Sequence, residues 1–271
     1  MSLITISKSL GSGGEEIASK VAKALNLDLY DDIKLQQAAI DMGIPAEDAK
    51  HLDEKAPGLF DRLMSRKPET YLDLMESVVY DVAHKGRGVI VGHGSQMLLR
   101  DFGCAFHIYI HATGSSRIQY IMEKKGLNRE GAEQLVQKSD HQQRGFFRFA
   151  FRMDWGDPSL YDLIVNTKKL GIEAAVKLIV NTAESDQIQA CSLTAVEAME
   201  RLSQKKRVEA AVHANDINPF LININVPEKG VVHLSGAAHS QDERDLLVDV
   251  IGQVSGISEV RNEVGVMPSG V

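Results

Sequence analysis

Short apolar runs alternate with longer stretches that carry apolar residues at helical spacing over the first two thirds of the chain. The runs that we predict to be strands lie at 4–7, 27–32, 88–91, 106–110 and 162–167. The stretches that we predict to be helical include 33–42, 47–55, 57–84, 117–125, 129–153 and 172–182. Continuously apolar strands are typical of a parallel sheet that is buried on both faces. The pattern therefore predicts an α/β domain at residues 1–182, with helices on both faces of a parallel sheet.

The pattern changes after residues 183–192, which lose the apolar period and are predicted to be a linker. The elements predicted beyond it are a helix at 193–214, strands at 221–226, 231–234 and 260–266, and a helix at 240–254. A short turn between the first two of these strands predicts an antiparallel or mixed sheet with one covered face. Ser240 followed by Glu243 is a capping-box signal for the last helix. We therefore expect a second, small α+β domain within residues 193–271.

Composition limits the classes of function. The chain has 271 residues, 44% hydrophobic and 25% charged, with a net charge of −7, which argues against a protein that binds nucleic acid through a basic surface. It has two cysteines without C-x-x-C spacing, so neither a disulfide framework nor a zinc site is predicted. There is no basic leader with an apolar core and no long apolar run. We expect a cytoplasmic protein without a transmembrane segment.

The first candidate site is the glycine-rich stretch between the first strand and the first helix. Its residues are Gly11, Ser12, Gly13 and Gly14. Glycines allow the backbone to approach an anion, and a helix N-terminus offers it unpaired N–H groups and a positive dipole. The alternative is a tight turn that binds nothing. This stretch alone leaves both interpretations open.

The stretch departs from the regular P-loop pattern, G-x-x-x-x-G-K-[ST]. Lys8 stands in place of the first glycine, Gly14 in place of the lysine, and Glu15 in place of the hydroxyl residue that holds Mg²⁺. A phosphate site here needs another cation, and Lys8 is the nearest candidate. Glu15 would compete with a bound phosphate unless a metal ion or an arginine lay between them.

Two further strand ends carry polar or glycine-rich turns, and ligands of open parallel sheets gather at such ends. One is Asp31-Asp32 and the other is Gly92-His93-Gly94. The aspartates could hold Mg²⁺ or a substrate hydroxyl, or they could cap the following helix. A lone histidine in a turn is more often structural, although His93 would face the predicted cleft. His107 and His111 have no third ligand at metal spacing, so we predict no metal site built from protein side chains.

Arginines form the strongest electrostatic feature. Arg144, Arg148 and Arg152 are spaced i, i+4 and i+8, so on a helix they would make one cationic stripe, and Arg117 precedes them. A solvated helix face is the ordinary explanation of such a stripe. Against it, arginines that cluster in an acidic protein suit phosphate oxygens, which guanidinium groups bind in a fork.

The first 182 residues resemble the cytidylate kinase-like family of P-loop proteins. The resemblance rests on an ordered set of motifs: 4–7 with 10–14, 29–31, 89–94, Ser139-Asp140 with Arg144, and 154–167. Members resemble nucleoside monophosphate kinases, which move the γ-phosphoryl group of ATP to a nucleotide such as CMP with Mg²⁺. The family's loop lacks the usual lysine, so Gly14 is a family trait.

The resemblance implies roles for particular residues. The loop residues Gly11, Ser12, Gly13 and Gly14 would hold the ATP phosphates, with Lys8 where the family usually has arginine and with Glu15 beside them. Asp31, Gly92, His93 and Gly94 would face the acceptor. Arg117, Arg144 and Arg148 would be the catalytic lid arginines. ATP would be the cofactor, and Mg²⁺ would enter with it.

Three departures from the family pattern reduce the positive charge of the site. Glu15, His93 and Tyr120 stand where family members usually carry basic residues. Phosphoryl transfer depends on such charge. The chain is therefore interpreted as an ATP-dependent nucleoside monophosphate kinase, or alternatively as a degenerate relative that binds nucleotide as a sensor or regulator.

Residues 208–267 resemble a BON domain. The motifs that carry the resemblance are 222–226, 230–236, Ser240 with Glu243-Arg244, 254–257 and 260–262. BON domains are small binding modules, often found in envelope proteins and linked to phospholipid binding. The resemblance implies a module that senses or tethers, with a protein, a phospholipid or a small molecule as its ligand.

Overall fold

Five strands form one parallel sheet in the first part of the chain. The computed structural model describes residues 2–50, 68–189 and 193–267. The strands are β1 (Ser2–Lys8), β2 (Leu29–Tyr30), β3 (Arg87–Val91), β4 (Ala105–His111) and β5 (Leu163–Asn166). Their order is β2-β3-β1-β4-β5, and Ile4 of the central strand pairs with Val89 on one side and Phe106 on the other. The carboxyl end of β1 thus lies at the middle of the sheet.

Helices cover both faces of this sheet. They are α1 (Gly14–Ala24), α2 (Asp32–Asp41), α3 (Ala46–Ala49), α4 (Pro68–Ala83), α5 (Ser95–Leu99), α6 (Gly114–Lys125), α7 (Arg129–Phe151), α8 (Thr167–Ala183) and α9 (Asp186–Gln189). On one face, Ile17 of α1 and Ile179 of α8 pack in a buried cluster with Ile6. On the other, Leu35 of α2 and Met75 of α4 pack in a second cluster. The predicted α/β fold is confirmed.

The second part is a separate mixed sheet. Its elements are α10 (Leu193–Ala214), β6 (Ile222–Glu228), β7 (Val231–Ala238), α11 (Gln241–Gly252) and β8 (Glu259–Val266). β6 and β7 are antiparallel, whereas β7 and β8 are parallel because α11 crosses over between them. The Ser240 hydroxyl accepts a hydrogen bond from the Glu243 amide, and the Glu243 carboxylate accepts one from His239. The predicted α+β domain and its capping box are confirmed.

Helix α10 contributes to both hydrophobic cores. Met199, near its start, is buried in the core that covers the parallel sheet. Val208 and Val212, further along, are buried with the strands of the mixed sheet. The domain boundaries predicted at residues 182 and 193 stay a prediction. Helix α10 packs both against elements that precede residue 182 and against elements that follow the helix.

Several sequence predictions differ from the structure or fall outside it. The predicted linker contains the short helix α9, and β7 continues to Ala238 beyond its predicted end. The predicted helical positions 51–55 and 57–67 lie outside the described residues. Cys104 is disulfide-bonded, so the expectation of no disulfide is wrong. Disulfide formation depends on the separation of the Cα atoms in the fold, which sequence spacing does not give.

No described helix combines the length and the apolar character that crossing a membrane requires.

Candidate active site

The glycine-rich loop between β1 and α1 is shaped by two close approaches and by two glycines in a left-handed conformation, Gly11 and Gly13. Gly13 is the N-cap of α1 at φ 77°, and it gives the helix no side-chain cap. A Cβ on Gly14 would lie 2.6 Å from the Lys8 Cβ, so only glycine fits there. A Cβ on Gly11 would lie 2.6 Å from the Arg117 carbonyl oxygen. Because Gly13 supplies no side-chain cap, the start of α1 has the geometry of an anion-binding helix N-terminus.

Hydrogen bonds from β4 and α8 hold the loop from behind. The Ser9 amide donates to the Ile110 carbonyl at 2.9 Å, and the Ser9 hydroxyl is 2.8 Å from the Tyr109 hydroxyl. The Thr167 hydroxyl, at the start of α8, donates to the Ser12 carbonyl at 2.8 Å. Both ends of the loop are thus fixed to regular elements, which preorganises it for a ligand.

Two buried hydroxyl groups at neighbouring strand ends lack hydrogen-bond partners among the described residues. One is that of Ser12, inside the loop, whose side chain is buried. The other belongs to Ser95, which follows the turn after β3 and is also buried. Buried hydroxyl groups in folded proteins normally have partners. Both hydroxyl groups lie at the carboxyl ends of strands, β1 and β3, where a polar ligand would supply the missing hydrogen bonds.

Lys8 and Glu15 form an ion pair across the loop. The Lys8 Nζ atom lies 3.4 Å from the Glu15 carboxylate, and the lysine side chain is 16% exposed against 58% for the glutamate. Both residues were predicted at the ATP site, Lys8 as the cation for phosphate and Glu15 beside the loop, where it would compete with a bound phosphate. The structure places the cation beside the loop but gives it an internal counter-ion.

Arg117, on α6, connects the glycine-rich loop to α7. Its Nε donates to the Leu10 carbonyl at 2.6 Å, and its two terminal nitrogens bind the Asp140 carboxylate at 2.9 and 2.6 Å. The side chain is only 8% exposed. Its predicted contact with phosphate stays a prediction. These contacts indicate that Arg117 positions the loop, and the Asp140 partner was recognised only as a family motif.

Arg144 and Arg148 lie exposed on α7. Arg148 is 3.9 Å from Asp154, and both side chains are more than half exposed, so this pair is weak. Arg144 has no ion pair in the described part of the chain. Burial raises the pKa of Tyr109, and the positive charge of Arg144 lowers it to a smaller extent. The charge of Arg144 thus acts on Tyr109, whose hydroxyl bonds the Ser9 hydroxyl.

The predicted acceptor residues are held by contacts within the protein. The Asp31 carboxylate caps α2 by accepting a hydrogen bond from the Lys34 amide at 3.1 Å. Asp32 lies 3.6 Å from the His93 Nε2 atom. His93 is 1% exposed, in a left-handed conformation at φ 59°, and its Nδ1 is 3.2 Å from the Val91 carbonyl. Of the two readings for the aspartates, the structure supports helix capping for Asp31.

The turn that contains His93 is packed against α7. The Phe151 ring lies on Gly94, at the end of the turn that begins with Gly92. The structure therefore brings Gly92, His93 and Gly94 to the same edge of the sheet as the loop. It leaves the histidine side chain buried.

A buried aromatic network beneath the loop was missed by the sequence reasoning. The Trp155 indole donates to the Ser7 hydroxyl at 2.7 Å, and the Tyr161 hydroxyl donates to the Trp155 carbonyl at 2.8 Å. Tyr109 stacks on Tyr161 with ring centroids 5.1 Å apart. Burial raises the pKa of Tyr161 to about 12, so its hydroxyl stays protonated as a donor. The segment 154–167 carried these residues only as a family motif.

Within residues 2–50, 68–189 and 193–267, no group of three or more histidine, cysteine or acidic side chains could hold a metal ion. His107 instead has its Nδ1 2.8 Å from the Thr5 hydroxyl. Burial lowers the pKa of His107, which is therefore neutral at pH 7.

Comparison with known protein families gives two matches. The model of the cytidylate kinase-like family matches residues 3–169. The model of the BON domain matches residues 202–268. The first match spans the whole parallel sheet, and the second spans the mixed sheet.

Individual relatives match the first part. A protein named cytidylate kinase from Pyrobaculum islandicum is 27% identical over 179 residues, covering 66% of this chain and 90% of the relative. One of the same name from Pyrococcus horikoshii is 25% identical over 178 residues, covering 65% of this chain and 85% of the relative. A crystal structure of an uncharacterized protein from Eubacterium ventriosum has a TM-score of 0.50 at 22% identity. It covers 68% of this chain and 99% of that one, which shows a shared fold.

Proposed function

This chain belongs to the cytidylate kinase-like family, and from that membership we propose that it transfers the γ-phosphoryl group of ATP to a nucleoside monophosphate. CMP is the first acceptor to consider, since the relatives from Pyrobaculum islandicum and Pyrococcus horikoshii are named cytidylate kinases. The family is one of nucleotide kinases. The acceptor and the site residues belong to the proposal.

The loop geometry is the observation that carries the proposal. The N–H groups at the start of α1 and the unpartnered Ser12 hydroxyl would bind the ATP phosphates. Gly11 and Gly14 keep the backbone close to its neighbours, where side chains would obstruct it. Mg²⁺ bound to ATP would supply charge neutralisation for the transferred group.

The lid arginines would supply the remaining positive charge. Arg144 is exposed on α7 and has no ion pair in the described part of the chain, so its guanidinium would be available to phosphate oxygens. Arg148 is exposed one turn further along and is only weakly held by Asp154. Arg117 would act through its neighbours, as a positioning residue that holds the loop against α7.

Acceptor-dependent consumption of ATP tests the proposal. Purified full-length protein would be incubated with ATP and Mg²⁺ against a panel of CMP, dCMP, UMP, AMP and GMP. The proposal predicts ADP formation that requires one or a few of these acceptors. In parallel, ATP binding would be followed by fluorescence of Trp155, the sole tryptophan, which bonds Ser7 beneath the loop.

A second candidate function is nucleotide sensing without turnover, and one observation favours it. Glu15 is the counter-ion of Lys8, so the loop offers a phosphate less net positive charge than Lys8 alone would. Binding of ATP with no ADP formed from any acceptor would select this alternative. A protein that binds no ATP at all would contradict both.

The BON domain would serve as a binding or tethering module in either case. Its family match is confirmed, and its ligand is a proposal: a protein, a phospholipid or a small molecule. Helix α10, which packs in both cores, supports a physical connection between this module and the kinase part.

A further inference from the structure

A cavity of about 480 Å³ lies between the two parts of the molecule, at the edge of the parallel sheet opposite the glycine-rich loop. Asp28, just before β2, and Lys85, just before β3, place it at the amino ends of the strands. The small domain contributes Arg207 and Ser255 to the wall. Cavities of this size at domain junctions are typical places for small ligands.

Arg207 is the unusual group in this cavity. One of its terminal nitrogens donates to the Met42 carbonyl at 3.2 Å and to the Ser255 carbonyl at 2.9 Å, which bridges the two parts. Its buried Nε atom has no hydrogen-bond partner among the described residues. Burial lowers the pKa of this guanidinium, and Asp81 opposes that shift from beyond ion-pair distance. Arg207 is thus a partly desolvated cation in the wall of the cavity, and one of its donors is unused among the described residues.

The other cations of the cavity have carboxylate neighbours. Lys34 lies 4.0 Å from Asp28, and Lys85 lies 3.8 Å from Asp81. Lys85 also lies 5.7 Å from the centre of the Tyr30 ring, which forms an apolar part of the wall. In each of the two pairs, the carboxylate balances the charge of the lysine.

The remaining acidic group of the wall also has a partner. The Asp41 carboxylate accepts a hydrogen bond from the Gln37 amide at 2.8 Å. Among the described residues that line the cavity, Arg207 is therefore the charged group without an opposite charge or a side-chain partner in contact. Charges that are removed from water are usually paired in proteins, so a partly desolvated guanidinium without a carboxylate is suited to an anion.

We propose that this cavity binds a small organic anion, whose phosphate or carboxylate group accepts hydrogen bonds from Arg207 and whose apolar part lies against Tyr30 and Met42. The planar guanidinium fork suits either anion. The site is separate from the glycine-rich loop. It does not depend on whether the chain is a kinase.

Calorimetric titration of the full chain with phenyl phosphate and with benzoate tests the proposal. The two probes share a ring and differ in the anion, so they distinguish a phosphate from a carboxylate ligand. We expect at least one probe to bind with a stoichiometry of one, and Arg207→Met to weaken that binding by about tenfold or more. Arg201→Met, on the same helix outside the cavity, should bind as the wild type does.

A second variant and a competition complete the test. Ala38→Leu fills part of the cavity without removing a contact of Arg207, and it should also weaken binding; it decides the question if Arg207→Met does not fold. Binding should persist in saturating ATP. The proposal is overturned if neither probe binds, if ATP abolishes binding, or if Ala38→Leu and folded Arg207→Met bind like the wild type.

Discussion

The ion pair between Lys8 and Glu15 is the residue-level feature that most affects nucleotide binding. The glutamate occupies the ammonium group that a phosphate would need. A ligand must therefore displace this carboxylate, or a divalent cation must bridge it to the phosphate. Glu15 and a bound phosphate would therefore compete for Lys8.

We predict that Glu15→Gln increases the affinity for ATP. Removing an exposed counter-ion is worth about 0.2–1 kcal/mol, which corresponds to about a 1.4- to 5-fold lower Kd. Fluorescence titration of Trp155 measures it. Glu16→Gln is the matched control, since Glu16 pairs with Lys20 at 3.1 Å and should leave the Kd unchanged. Equal ATP affinities for wild type and Glu15→Gln would show that Glu15 does not compete.

The limits of sequence reasoning at this scale come from contacts between distant residues. The loop glycines could be predicted because the strand, turn and helix are contiguous. The partners of Arg117 could not, because Leu10 is 107 residues away and Asp140 is 23 residues away. The burial of His93 was missed for the same reason, since its partner Asp32 lies on α2 and Phe151 of α7 packs on the neighbouring Gly94.

At the scale of elements, the lid is tied to the loop by one buried charged group. Arg117 of α6 binds Asp140 of α7 and the Leu10 carbonyl, so these three segments are linked to one another. Helices α6 and α7 also share a small apolar cluster that includes Ile121 and Val136. The contacts of Arg117 with Leu10 and Asp140 connect α7, which carries Arg144, to the loop.

We predict that Asp140→Asn destabilises the protein and impairs nucleotide binding together. Loss of one partner leaves the buried guanidinium underpaired, at a cost of about 1–3 kcal/mol. Thermal unfolding and ATP titration measure the two effects. Glu133→Gln, an acidic side chain exposed on the same helix, is the control and should change neither. A variant that loses stability while keeping its ATP affinity would refute the positioning role.

Element prediction succeeded where apolar patterns are local. β1 and β3 are buried along almost their whole length, and they were found as continuous apolar runs. β2 has only two residues, because the chain leaves the sheet at Asp31, which is the N-cap of α2. The helix α9 inside the predicted linker has too few residues for a periodic signal.

At the scale of the whole molecule, α10 joins the two parts through a buried charge cluster. Lys206 lies 2.9 Å from Asp73 and 3.0 Å from Glu76, both on α4, and 3.0 Å from Glu209. Burial alone lowers the pKa of Lys206, but these carboxylates outweigh it and hold the pKa above its ordinary value of 10.5. The sequence did not reveal this cluster, because Asp73 and Glu76 lie on a helix that is distant along the chain.

We predict that Lys206→Met destabilises the junction by about 3 kcal/mol, because Glu76 loses its counter-ion and Asp73 keeps only His213 among the described residues. The Tm would fall by about 6–12 °C, measured by calorimetry. Since the folded-state pKa of Lys206 is raised, its stabilisation is complete below pH 10.5 and declines as the pH rises above it. Lys205→Met, whose neighbour Glu209 is 3.6 Å away, is the control. A Tm equal to that of the wild type would contradict the predicted role of the cluster.

The central claim is phosphoryl transfer assisted by Arg144. The most direct measurement compares acceptor-dependent ADP formation by the wild type, Arg144→Ala and Lys138→Ala at saturating ATP and Mg²⁺. We expect turnover by the wild type and by Lys138→Ala, an exposed cation of the same helix, and a loss of about 10²–10³-fold in kcat for Arg144→Ala. ATP binding without ADP formation from any nucleoside monophosphate, or equal kcat values for wild type and Arg144→Ala, would contradict the claim.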